Sequence, residues 1–148
     1  MLHIILYKPE IPPNTGNIIR LSVNTGFNLH LIKPLGFSIN EKTLRRAGMD
    51  YIKKTDYKLW PNLDTCLKKI NYQSVYSIST KGEKIYSNIN YEKEDAFIFG
   101  PETTGLPQKI IDQYDSITIP MKSSGRSINL ANAVSIIVYE AWRQLNFI

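Results

Sequence analysis

Three stretches of this 148-residue chain combine amides, hydroxyls, an acid or a guanidinium with glycine and proline. The first, PPNTGNIIR, sets Asn14 six residues before Arg20. The second, FGPETTGLP, gathers Gly100, Glu102 and Gly105 with two prolines in nine residues. Such a composition fixes a tight loop and leaves its backbone N–H and C=O groups exposed. The third, IPMKSSGRSINLANAV, leaves a strand through SSGRS and opens a helix at Asn129. Serine and glycine at a helix N-terminus commonly bind an anion or a carboxylate. Each stretch also has a plainer reading. Asn14 suits a helix cap, Arg20 a solvated helix face or a surface ion pair, and GPETTGLP a strand-to-helix turn with Thr103 or Thr104 as cap.

Other chemistries are missing. None of the eight glycines forms a GxG pair, so the dinucleotide fingerprint is absent. There is no GxxxxGK[ST] phosphate loop and no GxSxG elbow. Cys66 is the only cysteine, which excludes an internal disulfide. With His3 and His30 as the only histidines, the usual four-ligand zinc site is excluded too, and no metal is expected.

Short apolar strands and helical segments alternate. Strands are expected at Leu2–Tyr7, Asn28–Lys33, Ser74–Thr80, Asp95–Gly100 and Ser116–Pro120. Helices are expected from Asn14 as N-cap to about Asn24 with Gly26 ending it, from Asn40 through Arg46, over Pro61–Ile70 and over Pro107–Gln113. The last helix is the clearest. Leu130, Ala133, Val134, Ile137, Val138, Ala141, Trp142, Leu145 and Ile148 fall at helical spacing, and Ile136 and Tyr139 widen the stripe. A helix apolar over so much of its circumference needs two partners, the sheet and a second subunit. A homodimer is the expectation. The order implies one α/β domain, residues 1–148, with a mainly parallel sheet and flanking helices. Ligands of such folds collect beyond the strand C-termini. Here those ends are residues 8–14, 79–82, 100–105 and 120–127, where the polar residues and glycines concentrate.

No apolar run approaches the ~18 residues of a membrane span, and MLHIILYKPE lacks a signal peptide's basic start. A reduced, cytoplasmic protein is expected. The net charge is +5. Residues 42–84 hold ten Lys and Arg against four Asp and Glu, a net +6; the remaining eight basic and nine acidic residues net −1. A basic stretch suits a polyanion, or is simply a solvated face. Tyr51 and Tyr57 could stack on unpaired bases.

Together and in this order, LYKPEIPPNTGNIIRLSVNTGF, LRRAGMDY, FIFGPETTGLP and IPMKSSGRSINLANAVSIIVYEAWRQL resemble the SPOUT class of RNA methyltransferases. Within that class they resemble the short tRNA 2′-O-methyltransferases that act on a cytidine or uridine at the wobble position. The resemblance covers essentially the whole chain. It implies an α/β fold with a C-terminal trefoil knot, a homodimer, and S-adenosyl-L-methionine as cofactor, its adenine met by backbone groups of the loops. Threaded chains are otherwise almost absent from proteins. Carried over by position, Ile78, Gly100, Glu102, Ile119, Met121, Ser127 and Leu130 line the cofactor pocket. Asn14, Arg20, Ser127 and Asn129 serve catalysis. The basic segment, with Arg45 and Arg46 foremost and Lys81, docks tRNA, and Tyr139 and Trp142 lie at the dimer contact. Where the family often carries a basic residue, this chain has Thr104.

The implied reaction moves a methyl group to a ribose 2′-hydroxyl. The resemblance gives the activating role to Arg20, but a guanidinium scarcely deprotonates in proteins. Clamping the adjacent phosphate and stabilising charge on the 2′ oxygen is the better chemistry for it. Two other readings fit the residues less well: methylation of another tRNA or rRNA nucleotide, and an RNA-binding module without catalysis.

Overall fold

A computed structural model describes residues 1–40, 42, 53, 56–122 and 126–148. The strands are β1 (His3–Tyr7), β2 (Asn28–Ile32), β3 (Lys58–Trp60), β4 (Val75–Ile78), β5 (Lys84–Ile85), β6 (Ala96–Phe99) and β7 (Asp115–Thr118). Among the described residues the complete α-helices are α1 (Pro12–Thr25), α2 (Leu63–Lys69), α3 (Gln108–Gln113) and α4 (Leu130–Gln144). The strands form one sheet in the order β3-β2-β1-β6-β4-β7-β5, and every pairing is parallel. The late strand β7 thus sits between β4 and β5.

Side chains alternate across a strand with a period of two, and this builds a core on each face. Ile4, Leu6, Phe97 and Phe99 join Ile18 and Ile19 of α1 and Val134, Ile137 and Val138 of α4. Ile5, Ala96 and Ile98 join Cys66 and Leu67 of α2 and Ile110 and Ile111 of α3. Burial against Leu67's neighbours pushes the Cys66 thiol up to about 12, so it stays protonated.

Helix α1 starts earlier than the spacing suggests. Pro12 and Pro13 occupy its first two positions, with Ile11 before them. Proline has no N–H to leave unsatisfied there and already holds a helical φ. Asn14 is therefore inside the first turn and is not the cap. Gly26 ends the helix in the left-handed conformation, φ 73°. Two strands escape the sequence pattern: β3 has two exposed residues out of three, and β5 is two residues long. The helix expected from Asn40 through Arg46 falls mostly outside the described residues. The apolar stripe of α4 stops short of its expected end, because the helix closes at Gln144 and Ile148 is 79% exposed.

Both histidines are buried in strands, and a buried polar ring must find partners. His30 Nε2 lies 3.0 Å from His3 Nδ1, and Trp60 Nε1–H donates to His30 Nδ1 at 3.0 Å. An indole can only donate. His30 Nδ1 therefore accepts, and its Nε2–H donates to His3. Burial pushes both rings down, His30 to about 3, so both are neutral. Glu94 lies beyond His3, 3.5 Å away, and also holds the N-terminal ammonium at 2.7 Å.

Candidate active site

Because the strands are parallel, their C-terminal ends share one edge, and the loops that leave that edge enclose a cavity of about 400 Å³. Its floor is apolar: Ile78 and Phe99 end their strands, Ile119 follows β7, and Leu130 opens α4. Its rim is polar, with Asn14 from the first turn of α1, Glu102 from the second loop (after β6), Ser127 and Asn129 from the segment before α4, and Ser79, Thr80 and Lys81 after β4.

Gly100 lets the second loop fold back on itself. A Cβ there would stand 2.3 Å from the Leu106 nitrogen and 2.4 Å from the Gly105 carbonyl carbon, too close for any side chain. Gly105 turns the same loop at φ 67° with open space around it. Its need for glycine is conformational.

Glu102 ties the loops together. Its carboxylate accepts from the Glu10 N–H at 2.8 Å, the Ile11 N–H at 3.0 Å and Asn14 Nδ2 at 3.3 Å. A carboxylate can only accept, so Asn14 turns its NH₂ toward Glu102 and its Oδ1 away. That Oδ1 accepts from Asn129 Nδ2 at 3.0 Å. Asn129 Oδ1 in turn caps α4, accepting from the Ala131 and Asn132 N–H groups at 2.9 and 3.4 Å. The direction of every bond is thus set by the acid at one end and a helix N-terminus at the other. A reciprocal contact completes the clasp: the Glu10 carboxylate accepts from the Thr103 N–H at 3.2 Å and its hydroxyl at 2.8 Å.

The seven positions expected to hold a cofactor, Ile78, Gly100, Glu102, Ile119, Met121, Ser127 and Leu130, all line this one cavity. So do Asn14, Asn129, Lys81 and the exposed Thr104. Arg20 does not. It is exposed on α1, ~9 Å further along the helix axis than Asn14 and turned well away from it around that axis. Arg45, Arg46, Tyr51, Ser123, Ser124 and Gly125 lie outside the described residues. Tyr57 cannot stack on a base, because it is only 9% exposed and packs in the core. Tyr139 is 46% exposed. Trp142 is half-buried within the chain, edge-on to Phe27 and to Tyr139. The Glu10–Thr103 contact and the Asn14–Asn129 bond have no local sequence pattern; the acids flanking the two loops are their only signal.

The described lysines of the basic stretch do not share one surface. Lys58 is on edge strand β3 and Lys84 on the opposite edge strand β5. Six strand spacings, ~29 Å, separate them. Lys68 and Lys84 are also paired, with Asp64 at 2.7 Å and Asp115 at 3.0 Å.

Residues 1–139 match the SpoU rRNA Methylase family. The chain belongs to it. The tRNA (cytidine(34)-2′-O)-methyltransferase of Escherichia coli (strain K12) is 51% identical over 150 residues, covering 99% of this chain and 96% of that protein. A solved structure described as giving insight into the 2-OH methylation of C/U34 on tRNA is 40% identical, with a TM-score of 0.91 over 99% of this chain and 97% of its own. The SpoU methyltransferase AviRb of Streptomyces viridochromogenes, solved with the cofactor AdoMet, shares the fold at 22% identity. Its TM-score is 0.83, over 99% of this chain and 58% of that one.

Proposed function

We propose that this chain transfers a methyl group from S-adenosyl-L-methionine to the ribose 2′-hydroxyl of nucleotide 34, a cytidine or modified uridine, in the tRNA anticodon loop. The observation that carries the reading is the cavity: residues far apart in the sequence, matched by position to a cofactor pocket, converge on one space. Its size fits a small-molecule site, typically ~300–1,000 Å³. The apolar floor from Ile78, Ile119 and Leu130 suits an adenine ring, and the rim offers polar groups for the rest of the cofactor. The relatives that match at half identity span the same length as this chain. When bound, S-adenosyl-L-methionine supplies an electrophilic methyl group.

The chain's own residues then have two tasks. Asn14, Glu102 and Asn129 form a rigid bonded row at the cavity rim, which orients the ribose before reaction. Arg20 clamps the adjacent phosphate and stabilises charge on the 2′ oxygen, a contribution of ~2.7–4 kcal/mol for a preorganised donor. A guanidinium works here as a charged, planar donor and not as a base. The 2′-hydroxyl proton passes to solvent water as the cofactor leaves as a neutral thioether. Arg20 shares the solvent face of α1 with Val23, which is 54% exposed, and α1 packs beside α4, whose Tyr139 is also exposed. A homodimer built on this α1/α4 face buries Val23 and Tyr139 and sets Arg20 in the interface, where the RNA spans both subunits. The same reading has one domain over residues 1–148, a trefoil knot in the C-terminal segment, and action in the cytoplasm; among the described residues no helix is long and apolar enough to cross a membrane.

The test is transfer of labelled methyl from S-adenosyl-L-methionine to unmodified tRNA by the purified full chain. Incorporation at ribose supports the reading. A chain that binds tRNA but neither melts later with S-adenosyl-L-methionine nor transfers label is an inert RNA-binding module.

A further inference from the structure

The parallel sheet redistributes the charges that the chain order seemed to cluster. Along the C-terminal edge, Lys8 follows β1, Lys33 follows β2, Lys81 follows β4, and Lys122 and Arg126 follow β7. All but Lys8 are exposed; Lys8 is half-buried, its ammonium over the Tyr7 ring. Lys81 lines the cavity, and Arg126 adjoins Ser127, which also lines it. Of the acids at this edge, Glu10 and Glu102 are turned onto donors of the protein itself, and Glu83 is exposed.

The N-terminal edge differs in kind. There Asp56, Glu92, Glu94, Asp95 and Asp115 mix with Lys53, Lys58 and Lys93, and the Lys84 side chain reaches Asp115 from β5. Several are already engaged: Glu94 with the N-terminus, Asp115 with Lys84, and Asp95 with the Ser74 and Glu92 N–H groups. One edge is balanced and the other has cations in excess around the cavity mouth. A localised excess steers a polyanion toward that side.

We propose that the C-terminal edge from Lys33 to Arg126 is the surface on which the RNA phosphodiester backbone docks, in place of the sequence-contiguous basic stretch. From β2 to β7 it spans four strand spacings, ~19 Å. Residues from four different connections, which no local sequence window joins, act as one strip of cations. The inference rests on the RNA substrate given under Proposed function.

The experiment compares tRNA binding by the full chain, across a salt series, for wild type and two double variants of equal charge change. One is Lys33→Gln with Lys122→Gln on the edge. The other is Lys68→Gln with Lys69→Gln on the exposed side of α2. Each phosphate-contacting cation adds about 0.7–1 to the slope of log K against log salt. The edge pair is expected to weaken binding and flatten the slope by about 1.4–2, with the α2 pair unchanged. An unchanged edge variant, or an α2 variant that loses as much, overturns the docking surface while leaving the proposed reaction intact. A wild type that does not bind tRNA overturns the reaction itself. Melting and S-adenosyl-L-methionine binding, measured alongside, must match wild type in both variants, since all four side chains are exposed.

Discussion

Asn129 donates from Nδ2 to Asn14 Oδ1 at 3.0 Å across 115 positions of chain. The bond joins the first turn of α1 to the cap of α4, and through Asn14 to Glu102. One amide thus caps a helix and shapes the cavity rim at once. Asn129→Ala is expected to cost about 1 kcal/mol through the lost cap, or about 4 °C in Tm, and to lower methyl transfer at least tenfold. Asn14→Ala lowers transfer with a smaller thermal effect. The double variant should lose less than the sum of the two, a coupling of about 0.5–3 kcal/mol. Strict additivity in kcat/KM would mean that the two amides act separately.

The two glycines of the second loop need glycine for different reasons, and alanine separates them. Gly100→Ala drives a Cβ into backbone on the folded-back strand of the loop, so thermal stabilisation by S-adenosyl-L-methionine should vanish. Gly105→Ala meets no atom and pays only for a left-handed backbone, about 1–2 kcal/mol, with cofactor stabilisation retained. Equal responses to the cofactor would contradict this account of the loop.

Arg20→Lys keeps the charge and loses the planar fork. Methyl transfer should fall about 10²-fold or more, while cofactor binding, measured by calorimetry, stays at the wild-type level because Arg20 is outside the cavity of its own chain. Wild-type turnover in this variant would remove the bidentate clamp from the mechanism.

The buried histidines set the acid limit of stability. Folded His30 takes up its proton only near 3, whereas the unfolded chain does so near the ordinary 6.5. Below 6.5 the unfolded state binds more protons, so stability falls as pH drops from about 6.5 to about 3, by up to about 1.4 kcal/mol per pH unit. His3 shifts in the same direction. His30→Leu strands Trp60 Nε1–H and His3 Nδ1, costing about 1–3 kcal/mol each near neutrality, and should flatten the Tm–pH curve through that window. A variant curve as steep as wild type would acquit His30.

What the chain order reveals follows the range of the forces involved. The apolar runs of β1 and β6 and the stripe of α4 are local patterns, and they give the layered sheet. The family motifs likewise mark the cavity positions. Asn14 misleads because its residue type suits a cap, while the two prolines ahead of it already begin the helix. Tyr57 looks accessible among lysines, yet the strand that follows it draws the ring into the core. The basic stretch shows the limit of chain order. Lys58 and Lys84 are near in sequence but on opposite sheet edges, since the chain passes from β3 to β4 beyond β2, β1 and β6 and then on to β5. His3 and His30, set aside as too few for zinc, find each other because parallel register puts β1 beside β2.

The central claim is that the cavity delivers a methyl group to one sugar oxygen. Nucleotide-resolved mapping of tRNA after incubation with the full chain and S-adenosyl-L-methionine tests it most directly. A single new 2′-O-methyl ribose is expected at position 34, formed more slowly but at the same nucleotide with Asn14→Ala. Methylation on a base, or at a ribose elsewhere in the tRNA, would contradict it.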